Sequence, residues 1–196
     1  MTPRPRKATD EDVFAAAARV MARVGPAQLT LADIAAEAGV TAGALVQRFG
    51  GKRALLVAFT ARAADDMRAH FAALRRAHPA PLAALRAYAD AFARMGESPG
   101  TLANHLAYLQ LDITDPELRA NTRAQADVAD EALRALLADA VAAGELAPGT
   151  DAAALTRLVQ ALLGGALMTW AFRQQGTADR WIREHLDLLL APYARD

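Results

Sequence analysis

LTLADIAAEAGVTAGALVQRFGGKR, residues 29–53, carries the clearest structural pattern in this sequence. Thr30 stands just before an apolar helical repeat, with Asp33 three residues further on, and this is the spacing of a capping box. Gly39 follows the repeat, and glycine ends a helix in the left-handed conformation without steric cost. The stretch therefore predicts a short helix, a tight turn and a second short helix that begins after Thr41.

The second helix of this pair has one apolar stripe. Thr41 is placed to cap it, and Leu45 and Phe49, four residues apart, form the stripe. A helix-turn-helix that offers its second helix to the major groove of DNA is built in this way. The residues left on the outer faces of the second helix are Thr41, Ala42, Gly43, Ala44, Gln47 and Arg48.

The sequence around the helix pair resembles the DNA-binding domain of the tetracycline-repressor (TetR) family of transcriptional regulators. The matching pattern, in residues 13–62, is an amphipathic helix ending in Val24, Gly25 and Pro26, then LTLADIAAEAGVTAGAL, then Phe49, Gly50, Gly51 and Lys52 before Leu55 and Leu56. The resemblance covers about a quarter of the chain. In one departure, Val46 stands where the family usually has an aromatic residue, most often Tyr, and this removes a hydroxyl that the family often uses to contact phosphate.

Charge is distributed unevenly along the chain, although the formal net charge is zero. Residues 1–62 contain nine basic and five acidic residues, a net charge of +4, so the remainder has a net charge of −4. A basic head on an acidic body is expected when one end of a protein meets phosphate. We therefore predict a DNA-binding domain with an N-terminal arm in residues 1–51, and an effector-binding and dimerisation domain in residues 52–196.

Composition excludes several other classes of protein. The chain has no cysteine, so it forms no disulfide and no thiolate metal site. Its first residues, MTPRPRKATDEDV, lack the apolar core of a secretory signal. The longest apolar run, residues 161–172, is too short to cross a bilayer and is flanked by Arg157 and Arg173. These features predict a soluble cytoplasmic protein without a membrane partner.

Residues 1–8 contain two prolines and three basic residues, with nothing to pack, and this composition predicts disorder of the isolated segment. Two interpretations of this arm remain open. It lies along the DNA backbone or in a minor groove, or it is a solubilising tail.

Helical periodicity predicts an all-α fold of about nine helices, a three-helix head on a larger helical body. The first helix begins near Thr9 or Asp10. A long helix, 52–76, follows the helix-turn-helix, and no strand pattern is present. The remaining predicted helices are 81–95, 98–112, 115–143, 152–174 and 178–190, with a loop at 144–150.

The last two predicted helices have more apolar surface than one small domain would bury. Gly165 and its neighbour Gly164 would allow another backbone to approach closely. A two-fold four-helix bundle would satisfy these helices, and the TetR resemblance implies that homodimer. Ordinary intramolecular core is the alternative for part of the set. The predicted interface residues are Leu158, Leu162, Gly165, Met168, Trp181, Leu186 and Leu190.

Position in the motif assigns roles at the DNA. Gln47 and Arg48 are predicted to contact bases or phosphates, since Gln can pair with adenine and Arg with guanine. Lys52, at the first turn of its helix, is predicted to contact phosphate only. Double-stranded DNA bound by a dimer would carry a palindromic operator. The predicted DNA-binding residues are Thr30, Thr41, Ala42, Gly43, Ala44, Val46, Gln47, Arg48 and Lys52.

The body is predicted to bind a small apolar or amphipathic effector that releases a repressor from DNA, with helix 52–76 as the transmitter. A ligand site needs apolar walls with a few polar groups. Asp112 and Arg123 are additional polar candidates. The predicted ligand-binding residues are Met67, His70, Phe71, Tyr88, Phe92, His105, Tyr108 and Met168.

Two other classes of function were compared with a regulator. Asp66 and His70, four residues apart, have the spacing of two metal ligands on one helix face, and His105, Asp112 and Asp115 would complete a site only by a coincidence of packing. Without a second paired motif, a glycine-rich phosphate loop or a nucleophile elbow, the sequence predicts neither an enzyme nor a cofactor. A helical adaptor that has lost DNA binding is the third class, suggested by Val46 and the zero net charge.

Overall fold

The computed structural model describes residues 8–194, and the regular structure in this range is helical. The all-α fold predicted from the sequence is confirmed. The predicted N-terminal arm, apart from Ala8, lies outside the described residues. The α-helices of residues 8–194 are α1 Asp10–Arg23, α2 Leu31–Ala38, α3 Ala42–Phe49, α4 Lys52–Ala61, α5 Ala63–Ala77, α6 Pro81–Ala93, α7 Pro99–Thr114, α8 Pro116–Ala142, α9 Ala152–Arg173 and α10 Ala178–Leu190.

The long helix predicted for residues 52–76 is divided in the structure, and that prediction is wrong. The backbone N–H of Arg62 donates to the carbonyl of Thr60, so the regular ladder of i to i−4 hydrogen bonds is interrupted there. Just before the break, the carbonyl of Val57 accepts hydrogen bonds from Thr60 Oγ1 at 3.1 Å and from Asn121 Nδ2 at 3.3 Å. Side-chain donors that compete for helix carbonyls in this way favour a bend or a helix end.

The chain divides into two compact units that do not follow chain order. Unit 1 comprises Met1–Arg62 and Ala103–Asn121, and unit 2 comprises Ala63–Leu102 and Thr122–Asp196. Helices α7 and α8 each contribute residues to both units. The division at residue 51, proposed from the sequence as a division of function, remains a prediction.

The core of unit 1 is built by α1 to α4 together with one residue each from α7 and α8. Its helix packing joins α1 to α2, α2 to α3 and α3 to α4. Burying the Val, Leu and Ile side chains of this core stabilises the three-helix head by about 1.5–3 kcal/mol for each. The buried residues are Val13, Ala17, Val20, Leu29, Ile34, Ala35, Leu45, Leu55, Leu56, Tyr108 and Leu118.

Unit 2 has a second, larger core. Helix α10 packs against α9 and α6, and α5 packs against α6. The face of α10 that meets this core carries Ile182, Leu186 and Leu190, which are all buried within the chain. Placing Leu186 and Leu190 in a subunit interface was therefore wrong, because the chain's own core already covers them.

Helix α9 contains the predicted apolar run 161–172 but is longer than that run. By length and composition alone, its 22 residues would suffice to cross a membrane. Its buried side, which includes Leu155, Val159 and Leu163, packs in the core of unit 2. A core helix of a globular protein meets the same criterion, so α9 gives only weak support for a membrane span.

Candidate DNA interface and ligand cavity

The two helices of the predicted helix-turn-helix begin and end as the sequence indicates. Thr30 Oγ1 accepts from the backbone N–H of Asp33 at 3.2 Å, and Asp33 Oδ2 accepts from the N–H of Thr30 at 3.1 Å. This reciprocal pair is the predicted capping box. Gly39 ends α2 with φ +69°, and Thr41 Oγ1 accepts from the N–H of Ala44 at 3.1 Å to start α3. The local sequence therefore fixes where α3 starts.

Helix α3 exposes the face that the sequence assigns to DNA. Leu45 is buried, whereas Val46 is 48% exposed. Ala42 is half-buried, and Thr30 lies exposed just before α2. Gly43 therefore leaves the backbone bare on this face, and Ala44 and Gln47 present a methyl group and an amide to solvent. The exposed residues of the predicted DNA-binding set are Thr30, Thr41, Gly43, Ala44, Val46, Gln47 and Arg48.

The guanidinium of Arg48 is held by the start of α1. Arg48 Nη1 donates to the carbonyl of Ala8 at 2.9 Å, and Nη2 pairs with the carboxylate of Asp10. The guanidinium also lies 5.6 Å from the centre of the Phe49 ring. An arginine engaged in this way must exchange these partners before it can meet a guanine or a phosphate. Gln47, which has no such partner in residues 8–194, is the freer candidate for base contact.

Lys52 holds the turn between α1 and α2. Its Nζ donates to the carbonyl of Pro26 at 3.1 Å and to the carbonyl of Leu29 at 3.0 Å, and the side chain is half-buried. Two of its three N–H groups are therefore used inside unit 1. These bonds hold the loop that leads to Thr30, and the contact of Lys52 with phosphate stays a prediction.

Basic side chains are not in excess among the described residues of unit 1. Its described residues contain seven basic and eight acidic side chains, because α7 and α8 bring three carboxylates and one arginine into the unit. Arg19 and Arg23 each contact Glu37 at 2.7 Å, and these hydrogen bonds, led by Arg19, lower the pKa of Glu37. Arg4, Arg6 and Lys7, which belong to the basic head predicted from the sequence, lie outside the described range.

Residues of α7 and α8 that the sequence did not associate with the head support it. Asn104 Nδ2 donates to the carbonyl of Ala22 at 3.1 Å, and the hydroxyl of Tyr108 donates to the carbonyl of Val24 at 3.2 Å. Burial raises the pKa of Tyr108 to about 12, so the phenol stays protonated as a donor. No local pattern links residues about 80 positions apart, so only the tertiary fold reveals these contacts.

An ion pair attaches α4 to the first turn of α8. Arg53 Nε contacts Asp115 Oδ2 at 2.7 Å, and Arg53 Nη2 contacts Glu117 Oε2 at 3.1 Å. The hydrogen bond from Arg53 lowers the pKa of Asp115 to about 2, with help from the backbone N–H groups of Leu118 and Glu117. Asp115 is thus both a side-chain cap of α8, where its Oδ1 accepts from the N–H groups of Glu117 and Leu118, and an ion-pair partner within unit 1.

Unit 2 contains a cavity of about 360 Å³ formed by α5, α6, α8 and α9. Met67, Tyr88 and Phe92, three of the residues predicted to bind a ligand, line it together. The other six lining residues were not predicted from the sequence. Among them, Gln125 lies along the apolar stripe of α8, and Gln160 belongs to no recognisable pattern. The lining residues are Met67, Tyr88, Phe92, Thr122, Gln125, Ala126, Ala129, Gln160 and Leu163.

The remaining predicted ligand residues are outside this lining. Phe71 is buried behind Tyr88, with ring centres 4.7 Å apart, and the ring of His70 lies 6.2 Å from that of Tyr88. His105 and Tyr108 belong to unit 1, where burial lowers the pKa of His105. Met168 is 47% exposed on the surface of α9. Assigning these five to the same cavity was wrong, because helical spacing does not say which neighbour a helix face meets.

An exposed apolar face runs along α9 and α10. Leu158 is 45% exposed, Gly165 is exposed, and a Cβ at Gly165 would meet no atom within 4 Å. Leu162 and Trp181 are half-buried. The structure adds Phe172, 85% exposed, and Leu188, 71% exposed, which the sequence missed. Phe172 is seven residues after Gly165, so helical spacing alone could have found it.

The residues considered for a metal site do not form a cluster within residues 8–194. Within residues 8–194, no three His, Asp or Glu side chains are grouped so that they could hold a metal ion. His105 and Asp115 lie in unit 1, whereas Asp66 and His70 lie in unit 2.

Two regions of the chain match known protein families. The family of bacterial regulatory proteins named tetR matches residues 13–59, and the tetracyclin repressor-like C-terminal domain matches residues 81–186. A comparison with curated proteins gives no match to this sequence.

Three solved structures illustrate the similarity of fold. A TetR transcription regulator from Haloarcula marismortui ATCC 43049 has a TM-score of 0.73 at 18% identity, over 95% of this chain and 98% of that chain. SmeT, the repressor of the Stenotrophomonas maltophilia multidrug efflux pump SmeDEF, has a TM-score of 0.65 at 24% identity, over 97% and 92%. SmeT has also been solved as a complex with triclosan. FadR from Bacillus subtilis, in complex with stearoyl-CoA, has a TM-score of 0.68 at 19% identity, over 93% and 98%.

Proposed function

Because this chain belongs to the tetR family of bacterial regulatory proteins, a family of DNA-binding transcription regulators, we propose that it is a homodimeric repressor that a small molecule releases from a palindromic operator. The observation that carries the proposal is the exposed, capped helix α3, which leaves one face free for a major groove. In this proposal the protein works in the cytoplasm, where it meets DNA, and it is not an enzyme.

At the DNA, α3 makes the base contacts. Gln47 hydrogen-bonds adenine, and Ala44 touches a thymine methyl, because these side chains are exposed at the middle of the helix. Thr30 and Thr41 contact phosphates with the backbone amides beside them, and Gly43 allows close approach. Arg48 joins this set once it leaves Asp10. Because Val46 replaces the aromatic residue that is usual in the family, other groups supply more of the affinity for phosphate.

The dimer is proposed to form through the apolar face of α9 and α10. Leu158, Met168, Phe172 and Leu188 are large apolar side chains exposed in the single chain, and exposed apolar surface is typical of a protein interface. A two-fold dimer presents two α3 helices, so its operator has two half-sites separated by one helical turn or a multiple of it.

The effector is proposed to bind in the cavity of unit 2. Apolar walls with a few polar groups are typical of small-molecule sites, and about 360 Å³ lies within their usual range of size. SmeT with triclosan and FadR with stearoyl-CoA are regulators of the same fold that carry small molecules. Release from DNA requires that the ligand bind one conformation of the regulator more tightly than the other.

Selection of bound duplexes from a random pool by the full chain tests this function. A palindromic motif is expected, and Gln47→Ala should relax the preference for adenine at one position per half-site, at a cost of about 1–3 kcal/mol. Gln110→Ala, which removes an exposed glutamine from α7, is the matched control and should leave the motif unchanged. Enrichment of no motif would contradict the proposal.

A helical adaptor without DNA binding is the second candidate, and one observation favours it. Among the described residues of unit 1, acidic side chains outnumber basic ones by one, whereas DNA-binding domains usually carry an excess of basic groups. Electrophoretic mobility shift at low salt separates the two candidates. Retardation of any duplex favours the regulator, whereas no retardation of any duplex favours the adaptor.

A further inference from the structure

The cavity in unit 2 has no charged side chain in its lining. The charged pair of α8 closest to it in sequence, Arg123 and Asp127, has side chains 82% and 72% exposed, and neither residue lines the cavity. A charged ligand would therefore lose hydration without gaining a counter-ion. Charge complementarity favours an uncharged occupant.

Polar groups without partners project among the apolar walls. Thr122, Gln125 and Gln160 line the cavity, and their side chains make no hydrogen bond to any group in residues 8–194. Each glutamine amide offers two N–H donors and one acceptor oxygen, so the pair of amides complements a ligand that both donates and accepts hydrogen bonds. Tyr88 adds a hydroxyl, and burial raises its pKa, which keeps the phenol neutral.

Two aromatic rings line the cavity, and one of them is stacked on a third. Tyr88 stacks on Phe71 with ring centres 4.7 Å apart and planes at 25°, so one face of Tyr88 is already covered. Phe92 is the other ring in the lining. Sites that hold cations by aromatic contact alone surround them with several ring faces, and this arrangement instead suits a planar apolar body.

We propose that the effector is an uncharged molecule with a flat, aromatic or alicyclic body and an amide-like group that both donates and accepts hydrogen bonds to Gln125 and Gln160. This proposal deepens the proposed function. It rests on that function in one respect, namely that binding of the ligand regulates the protein. It makes these two glutamines, which lie on α8 and α9, the residues that determine ligand specificity.

Calorimetric titration of the full chain with three probes of one ring skeleton tests the ligand class. The probes are naphthalene-2-carboxamide, naphthalene-2-carboxylate and 2-naphthylmethylammonium. We expect the carboxamide to bind at least about tenfold more tightly than either charged probe, since only the carboxamide avoids burying an unpaired charge. Equal or tighter binding of a charged probe overturns the proposal. Failure of the carboxamide to bind at millimolar concentration overturns it as well.

Variants of the full chain locate the contact. Gln125→Met and Gln160→Met should each weaken carboxamide binding about tenfold, because each removes a hydrogen-bonding partner while keeping side-chain length. Gln110→Met, the same substitution on α7 outside the cavity, should bind as the unsubstituted chain does. Unchanged carboxamide affinity in both cavity variants would place the ligand elsewhere. The titrations contain no DNA, so a chain that follows this pattern but binds no duplex would refute the proposed function and not the ligand class.

Discussion

Arg48, on the recognition helix α3, is paired with Asp10, the first residue of α1. The contact joins the side chain that the sequence assigns to guanine with a carboxylate of the same unit. DNA must therefore compete with Asp10 for Arg48. An exposed ion pair of this kind is worth about 0.2–1 kcal/mol, so the competition is modest and reversible.

Asp10→Asn should tighten DNA binding about two- to fivefold, because it releases Arg48 from its pair. Fluorescence anisotropy with the selected duplex at fixed salt measures the change. Glu11→Gln removes the same charge from the neighbouring residue without touching Arg48, and it should give a smaller gain. Equal increases in DNA affinity for the two variants would show that affinity depends only on the overall charge of the head.

Replacement of Arg4, Arg6 and Lys7 by Gln should flatten the dependence of log K on log salt by up to about three units, since each phosphate contact contributes about 0.9. The physical reason is that these residues carry the positive charge that the described part of unit 1 lacks. Replacing Arg76, Arg94 and Arg134, which are exposed in unit 2, makes the same change of net charge. If both triple variants altered the slope equally, the arm would have no special role.

Lys52→Met should destabilise the chain by about 1–3 kcal/mol, because the carbonyls of Pro26 and Leu29 lose a charged donor. Urea unfolding followed by circular dichroism measures the decrease in the free energy of unfolding. The salt slope of DNA binding should change little. If the salt slope of DNA binding fell by about one unit and the free energy of unfolding did not change, Lys52 would act at phosphate and not in the turn.

Gly165→Leu should convert the dimer to monomers in analytical ultracentrifugation. A Cβ at Gly165 meets no atom within 4 Å inside the chain, so we expect the substitution to act at the proposed dimer surface. Ala138→Leu adds the same bulk at an exposed position of α8, and it should leave the dimer intact. A dimeric Gly165→Leu variant would move the interface away from this part of α9.

Asp115→Asn should weaken resistance to acid. Hydrogen bonding from Arg53 lowers the pKa of Asp115 to about 2 from an ordinary value of 3.8. A depressed pKa contributes stability that is present above about pH 4 and is lost as the pH falls through about 2. Asparagine keeps the N-cap acceptor but not the charge, so the acid-unfolding midpoint of the variant, followed by circular dichroism, should move to higher pH. An unchanged midpoint would show that the ion pair adds nothing to stability.

Predictions that depend on neighbouring residues in the chain were the accurate ones. Thr30, Gly39 and Thr41 set the ends of α2 and α3 through hydrogen bonds and backbone conformations that span at most four residues. Such features need no knowledge of the fold. For the same reason the sequence located most helix boundaries, but it could not see that Asn121, from a distant helix, bonds a carbonyl next to the break at Arg62.

The sequence by itself determined an all-helical chain with a helix-turn-helix, because caps, turns and apolar periodicity are local. Only the tertiary structure decided which partner each side chain meets: Asp10 for Arg48, two carbonyls for Lys52, and the chain's own core for Leu186 while Leu188 stays exposed. The cavity depends equally on the tertiary structure, since its walls come from four helices. Periodicity tells which residues share a helix face, but packing between distant helices determines what that face contacts.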